Sequence, residues 1–158
     1  MGIRMDGSSA QPHFRVATSN DIDVLLLLGE AFYREAGLDF EAVRIRTGLL
    51  ELLRDSSLGR VWLLEVAGAA IGYLVLVNGF IVEFGGRHVF IDELYINPSS
   101  RGQGVGRATL AFAENVCRQA SINLIRLEVD CRKPRLIRFY EELGFTLHDR
   151  FTMTRILG

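Results

Sequence analysis

Apolar and polar positions follow two different periods along this chain, and the change of period separates helical from extended stretches. Residues 22–36 and 40–53 carry apolar side chains at helical spacing, which predicts two amphipathic helices after a short strand at 14–18. Ser19, Asn20 and Asp21 directly precede the first helix and are residue types that cap helices. The first third of the chain is therefore predicted as strand, helix, helix.

The remainder of the chain is mainly extended, with two further helices. Helices are predicted at residues 105–120 and from Pro134 to just before Gly144, because proline suits a first helical turn and glycine suits the position after a helix. Asn78 and Gly79 predict a break between two strands. The apolar runs that predict strands are residues 61–66, 71–77, 80–84, 89–96, 122–129 and the last extended pair within 146–156. This order predicts an α+β fold: a mixed, mostly antiparallel sheet with helices on both faces.

Composition narrows the class of protein. Hydrophobic residues make up 49% of 158 residues and the formal net charge is −1, which is typical of an ordinary globule and argues against nucleic-acid binding through a basic surface. No stretch is long and apolar enough to span a membrane, and no His/Cys cluster predicts a metal. We expect a disordered leader at 1–12, one domain at 13–158, and a cytoplasmic location.

A glycine-rich segment follows the strand at 89–96. Gly102, Gly104 and Gly106 allow sharp bends and close approach of a ligand to the main chain, and the helix that follows offers N–H groups at its positive end. Arg101 and Arg107 flank these glycines with groups that pair well with phosphate. The segment therefore predicts a site for a pyrophosphate.

Spacing separates three phosphate-binding plans. A P-loop needs Lys-Ser/Thr after its last glycine, whereas Arg107 and Ala108 stand there. A dinucleotide fingerprint needs G-x-G-x-x-G, which these glycines do not meet, although Asp130 lies at a suitable distance downstream. The pattern Arg/Gln-x-x-Gly-x-Gly/Ala is met from Arg101 to Gly106. In this the segment resembles the acetyl-CoA loop of the GNAT family of N-acetyltransferases.

A second segment strengthens the resemblance. The helix from Pro134 carries Tyr140 and ends in Leu-Gly-Phe, closing at Phe145, which is similar to the family's tyrosine helix. The resemblance implies that the Tyr140 hydroxyl points at the thioester sulfur. It departs at Lys133, where the family often has an asparagine that contacts coenzyme A.

The resemblance implies a fold and an activity together. The fold would splay two central strands to admit acetyl-CoA, and the activity would be direct transfer of the acetyl group to a primary amine. Main-chain N–H groups of the strand before the loop would hold the pantetheine arm. The expected cofactor-binding residues are Leu94, Tyr95, Ile96, Arg101, Gly102, Gln103, Gly104, Val105, Gly106, Arg107 and Lys133.

The chemistry needs a base, because an alkylammonium with a pKa near ~10.4 is almost wholly protonated at neutral pH. Asp92 and Glu93 precede the glycine segment, and strand alternation sends them to opposite faces unless a bulge intervenes. Asp92 is the favoured base or acceptor anchor, because family members carry an acid nine residues before the loop arginine. Glu93 is the alternative.

The acceptor is not identified by the sequence. The resemblance places the acceptor pocket around the first two helices and the loop before the loop-bearing strand, and the residues to inspect are Phe32, Tyr33, Phe80, Glu83 and Phe84. Polyamines, aminoglycosides, amino acids and protein N-termini stay open. Two other functions also stay open: a catalytically silent acyl-CoA-binding regulatory domain and a dinucleotide-binding oxidoreductase domain. A homodimer is the default expectation for a small enzyme.

Overall fold

The computed structural model of the protein describes residues 11–157. The strands are β1 (His13–Val16), β2 (Gly59–Val66), β3 (Ala69–Ile81), β4 (Gly86–Ile96) and β5 (Ile125–Leu127). The helices are α1 (Ile22–Ala36), α2 (Ala42–Arg54), α3 (Val105–Gln119) and α4 (Pro134–Glu142). The chain divides into two compact units, one ending at Leu127 and the other beginning at Glu128. The single domain stays a prediction, and most of the predicted leader, residues 1–10, lies outside the described residues.

The first unit is built on one sheet. Its strands lie in the order β1-β2-β3-β4-β5, with three antiparallel pairs followed by one parallel pair between β4 and β5. The short turn at Ala67 and Gly68 has positive φ angles of 50° and 79°, which suits the tight hairpin between β2 and β3. The prediction of a mixed, mostly antiparallel sheet is confirmed.

Helices cover both faces of this sheet. Successive side chains along each strand point to opposite faces, and apolar side chains on both faces are buried against helices. On one face, Leu25 and Leu28 of α1 belong to the same buried cluster as Leu63, Tyr73 and Val75 of the sheet. On the other face, α3 packs through Phe112, whose ring stacks on Phe14 at 4.2 Å and meets Trp62 edge-on at 5.7 Å. The prediction of helices on both faces is therefore confirmed.

Helix ends follow local chemistry. The predicted bounds of α1 are confirmed. In the short 3₁₀ turn before it, the Thr18 side chain accepts a hydrogen bond from a main-chain N–H of the turn, and the Asp21 carboxylate accepts one from the Thr18 main-chain N–H. Gly37, in the left-handed region at φ 69°, ends α1. In the second unit, α4 begins with Pro134 and is followed by Gly144 at φ 89°, as the sequence predicts.

Three expectations about strands are wrong. Asn78 and Gly79 do not interrupt the strand, because β3 runs through them to Ile81; the strand predicted at 80–84 is therefore not separate, and residues 82–85 form a turn. Glycine suits this place in the strand, because the imidazole of His88, its partner on β4, occupies the space that a Cβ would need. The strand predicted at 122–129 is shortened to Ile125–Leu127.

The third wrong expectation concerns the extended pair predicted within 146–156. Among the described residues no strand forms there, and the apolar side chains of Phe151, Met153 and Ile156 are almost fully exposed. An extended segment forms part of a sheet only when its main chain pairs with another strand, and among the described residues this segment pairs with none. No helix within residues 11–157 combines the length and apolar character needed to cross a bilayer.

Candidate active site

The glycine segment connects the end of β4 to the start of α3. Gly102 and Gly104 have φ angles of 74° and 82°, in the left-handed region that favours glycine. Gly104 is the N-cap of α3, and its carbonyl accepts from the Ala108 N–H at 3.0 Å. No side chain caps α3 and no acid lies in its first turn, so the first amides of the helix are left for a ligand that is negatively charged.

The surroundings of these amides are polar and basic. Arg107 lies exposed in the first turn of α3, and a surface cavity of about 340 Å³ is bordered by Gln103, Gly104, Arg107 and Ala108. Gln103 donates through its side-chain amide to the Ser99 carbonyl at 3.1 Å, which holds the segment folded. A Cβ at Gly102 or Gly104 would meet no protein atom within 4 Å. A side chain there would project into the space that a ligand would use.

Arg101 is engaged by other groups of the protein. Its guanidinium donates to both carboxylate oxygens of Glu35 on α1, at 2.8 and 2.7 Å, and its Nε donates to the Ile96 carbonyl at 2.8 Å. The Glu35 carboxylate raises the pKa of Arg101. The guanidinium also lies 5.6 Å from the ring centroid of Tyr95. The side chain therefore ties the start of the glycine segment to α1 and to the end of β4.

The two central strands pair over a short stretch only. The β4–β5 ladder joins Val89–Ile91 to Ile125–Leu127, whereas β4 continues to Ile96. The Asn97 N–H donates to the Ile71 carbonyl at 2.7 Å, and hydrogen bonds alternate along an antiparallel pair. The N–H groups of Leu94 and Ile96 therefore point away from β3. Within the described ladder β5 does not reach them, so this edge of β4 offers main-chain donors.

A β-bulge decides which acid lies among the tyrosines. Leu76 of β3 pairs with Ile91 and Val75 pairs with Glu93, so Asp92 is the extra residue. Glu93 consequently shares the α1 face with Tyr73 and Tyr95, and Asp92 is exposed. A regular strand would have exchanged the two acids.

Two tyrosine hydroxyls act on the Glu93 carboxylate. The Tyr73 hydroxyl donates to Glu93 Oε2 at 2.7 Å, and the Tyr33 hydroxyl of α1 lies close enough to lower the pKa of the same carboxylate. Burial raises the pKa of Glu93, the two hydroxyls oppose that rise, and the charge of Asp92 adds to it. Burial and the Glu93 charge raise the pKa of both tyrosines, so they remain donors.

Aromatic rings surround this carboxylate. Phe32 contacts Tyr33, Tyr73 and Tyr95 edge-on, with centroid distances of 5.6, 6.5 and 6.3 Å, and Tyr33 meets Phe40 at 5.6 Å. Such a wall is apolar yet attracts cations through its ring faces. Phe32 and Tyr33 are thus brought together with Glu93.

Sequence reasoning missed Tyr73 and Glu35. Tyr73 lies in an apolar run and had no distinguishing signal until strand pairing set it beside Glu93. Glu35 is marked in the sequence only by its place near the end of a helix, and the 66 residues that separate it from Arg101 give no sign of the contact.

The other acceptor candidates lie elsewhere on the sheet. Phe80 pairs with Arg87, six positions before Glu93 along β4, which corresponds to about 20 Å of strand. Glu83 and Phe84 belong to the exposed turn that joins β3 to β4. The structure therefore does not bring these three residues to the carboxylate.

In the second unit, Tyr140 lies on α4. Its ring packs against Phe139 at 5.4 Å and against Phe145 at 5.6 Å, and the Phe145 N–H donates to the Tyr140 carbonyl at 3.1 Å. Burial raises the pKa of the Tyr140 hydroxyl, so it holds its proton at neutral pH. Lys133 is exposed at the N-cap of α4.

Comparison with known proteins gives consistent results. The family model described as acetyltransferase (GNAT) family matches residues 28–145. The aminoalkylphosphonate N-acetyltransferase of Salmonella typhimurium is 33% identical over 140 residues, which cover 87% of this chain and 88% of that protein. Among solved structures, an integron cassette protein from the mobile metagenome of Cole Harbour Salt Marsh is 30% identical with a TM-score of 0.79, covering 92% of this chain and 90% of that one.

A more distant structure supports the fold alone. An aminoglycoside N-acetyltransferase in complex with CoA has a TM-score of 0.79 at 14% identity, covering 95% of this chain and 97% of that one. Because the family model spans most of the sequence and a curated relative matches along nearly its whole length, the dinucleotide-binding alternative is set aside. The chain is an acetyltransferase enzyme and belongs to the GNAT family.

Proposed function

We propose that the enzyme transfers the acetyl group of acetyl-CoA directly to the primary amine of a small molecule or peptide. The observation that carries this proposal is the uncapped start of α3 after Gly104, next to an edge of β4 with spare N–H groups. A diphosphate and an extended amide chain need these two sets of donors. The half-buried carboxylate of Glu93 lies two positions before Tyr95 on the same strand.

The donor set fits coenzyme A. Main-chain amides at 102–107 would hold the diphosphate, with Arg107 adding charge, and the N–H groups of Leu94 and Ile96 would bind the pantetheine arm. Arg101 would act through its tie to Glu35, and Lys133 would contribute a further cation. When bound, acetyl-CoA supplies an activated acyl thioester. The glycine segment takes this shape without backbone strain, because both of its positive φ angles fall on glycine.

Glu93 is our proposed base, in place of Asp92. An acceptor ammonium must lose a proton, and a carboxylate whose pKa is raised by burial accepts it more readily than an ordinary one. Tyr33 and Tyr73 would orient the carboxylate by donating to it. Asp92, exposed and close enough to raise the pKa of Glu93, would attract the cationic acceptor. Tyr140 would donate its proton to the departing thiolate.

For the acceptor, the Salmonella relative, an aminoalkylphosphonate N-acetyltransferase, supplies the first class to test, an aminoalkylphosphonate. Phe32 and the two tyrosines that bind Glu93 would enclose the alkylammonium end. Polyamines, aminoglycosides, amino acids and peptide N-termini complete the panel. The cytoplasmic location and a homodimer stay predictions.

The direct test is a thiol-release assay with acetyl-CoA and this panel. We expect release of free CoA with at least one primary amine and none with the matched alcohol. An aminoalkylphosphonate should be compared with the amine of the same length that lacks the phosphonate. Tight acetyl-CoA binding without thiol release from any amine would support the silent regulatory alternative.

The role of Glu93 is tested by the pH profile. The acidic limb of kcat/KM should lie above the ordinary glutamate range, because burial raises the pKa of the base. Since the Tyr73 hydroxyl lowers the pKa of Glu93, Tyr73→Phe should move that limb to higher pH while turnover at high pH is retained. A limb that stays in place would remove Glu93 from this role, and Asp92→Asn, measured in parallel, would then identify Asp92 as the base.

A further inference from the structure

A second cavity lies on the α3 side of the sheet. Its volume is about 670 Å³, within the range of small-molecule sites. The last turn of α3, including Val116 and Cys117, lines it, whereas the first turn of α3 follows the glycine segment. Since the 15 residues of α3 span about 22 Å, the cavity is separate from the proposed acetyl-CoA site. We propose that it binds a small organic anion with an apolar body.

The floor of the cavity is apolar. Trp62 and Leu76 come from β2 and β3, Val89 comes from β4, and Ile122 follows α3. All four are buried within the fold, so they present a fixed surface rather than mobile side chains. An aromatic or branched body lying on this floor would gain hydrophobic contact without rearrangement of the core.

The rim of the cavity is cationic. Arg60 precedes Trp62 by two residues and Arg87 precedes Val89 by two, so strand alternation sends both side chains to the side of the floor. Within residues 11–157 neither guanidinium makes a hydrogen bond or an ion pair with another side chain. The residues lining the cavity include no carboxylate. An anionic ligand would provide the missing partners.

The rim is also formed in advance. The Asn78 N–H donates to the Leu58 carbonyl at 2.7 Å, and the Asn78 side-chain amide donates to the Ser57 carbonyl at 3.0 Å. These bonds fix the loop before β2. Gly59 lets β2 start close against β3, because a Cβ there would collide with the Leu76 carbonyl. A preformed site loses little conformational entropy on binding.

The end of α3 does not oppose an anion strongly. A helix C-terminus carries partial negative charge on its last carbonyls. Here the Val116 carbonyl accepts from the Ala120 N–H at 3.2 Å, and the Cys117 carbonyl accepts from the Ile122 N–H at 2.9 Å. With these carbonyls paired, the two formal charges of the arginines dominate the cavity.

Trp62 is the one tryptophan of the sequence, so its fluorescence reports on this cavity. The protein is titrated with 1-naphthoate, with and without saturating free coenzyme A, and separately with 1-naphthylmethylamine, a cation of similar shape. We expect saturable quenching by the naphthoate and much weaker quenching by the cation. Failure of the wild type to bind naphthoate saturably, equal binding of both probes, or loss of naphthoate binding in the presence of coenzyme A would overturn the proposal.

Variants locate the binding. The double variant Arg60→Gln/Arg87→Gln should weaken naphthoate binding by about tenfold or more, and Arg135→Gln on α4 is the matched control that should leave it unchanged. Ala120→Phe, which fills the cavity from its rim, should also weaken it by calorimetry. A double variant that melts like the wild type and binds naphthoate equally well would refute the site. Because binding is measured without acetyl transfer, failure here leaves the proposed enzymatic function untouched.

Discussion

Arg101 could pair with the cofactor's phosphates or hold the glycine segment in place through Glu35. Replacing Glu35 by glutamine distinguishes these two roles, because they predict opposite changes in acetyl-CoA affinity. If the Arg101 guanidinium paired with the cofactor's phosphates, removing a nearby acid would free it and tighten acetyl-CoA binding. In the structure, Glu35 holds both terminal nitrogens of Arg101, which fixes the start of the glycine segment. Glu35→Gln should therefore weaken acetyl-CoA binding, although Glu35 is assigned no contact with the cofactor.

The size of the effect follows from exposure. The side chains of Arg101 and Glu35 are 41% and 45% exposed, and ion pairs at such sites contribute about 0.2–1 kcal/mol. Two-point geometry favours the upper part of that range. Since 1.4 kcal/mol is a factor of ten, we expect acetyl-CoA to bind about two- to fivefold more weakly.

The assay is isothermal titration of acetyl-CoA into wild type and variants. Glu30→Gln, the same change of charge on the same helix, is the matched control and should not weaken binding. Arg101→Lys keeps the charge but loses the planar fork, so it should weaken binding as well. In the double variant the two losses should not add. Tighter binding by Glu35→Gln, or additive losses in the double variant, would refute the tie between α1 and the loop.

Three further variants test other parts of the site. Gly104→Asp should abolish acetyl-CoA binding by calorimetry, because φ is 82° there and a carboxylate would enter the anion site; retained affinity would remove the segment from the site. Tyr140→Phe should leave acetyl-CoA affinity intact and lower kcat in the thiol assay, and unchanged kcat would exclude it as the acid. The folded-state pKa of Glu93 lies above its unfolded value, so its favourable contribution to stability is complete below the unfolded pKa and lost as pH rises through the folded pKa. By calorimetry, the melting temperature of Glu93→Gln should rise relative to that of the wild type as pH rises from about 4 to about 8. A difference in melting temperature that does not change with pH would contradict the raised pKa of Glu93.

Local signals identified most of the elements that form the site. The helical spacing and end residues of α1 and α4, and the glycines before α3, act within a few residues, so they are visible in the sequence. Gly79 shows the limit of such signals. Its turn-forming tendency is overruled by the pairing of β3 with β4, which continues through Gly79 and His88, and nothing close to Gly79 in the sequence indicates that partner.

Long-range pairing decided what the sequence could not. The choice between Asp92 and Glu93 depends on how β4 registers with β3, and a bulge of one residue leaves the apolar pattern almost unchanged. Likewise, Arg101 pairs equally well with a phosphate or a carboxylate, and only the fold brings Glu35 within reach. The family resemblance places Phe80 and Phe84 at the acceptor pocket, whereas the long antiparallel β4 carries the end that pairs with Phe80 far from Glu93.

The extra residue in β4 changes the phase of the strand at its centre. Ile91 and Tyr95 are four positions apart and would share a side in an even ladder, yet Ile91 pairs with Leu76 and Tyr95 pairs with Tyr73, on opposite sides. Loss of Asp92 would straighten β4 and leave Glu93 opposite Val75, while loss of Glu93 would slide Asp92 into that place. An acid can thus shift by one position in the sequence and still emerge on the side of the sheet that carries the tyrosines.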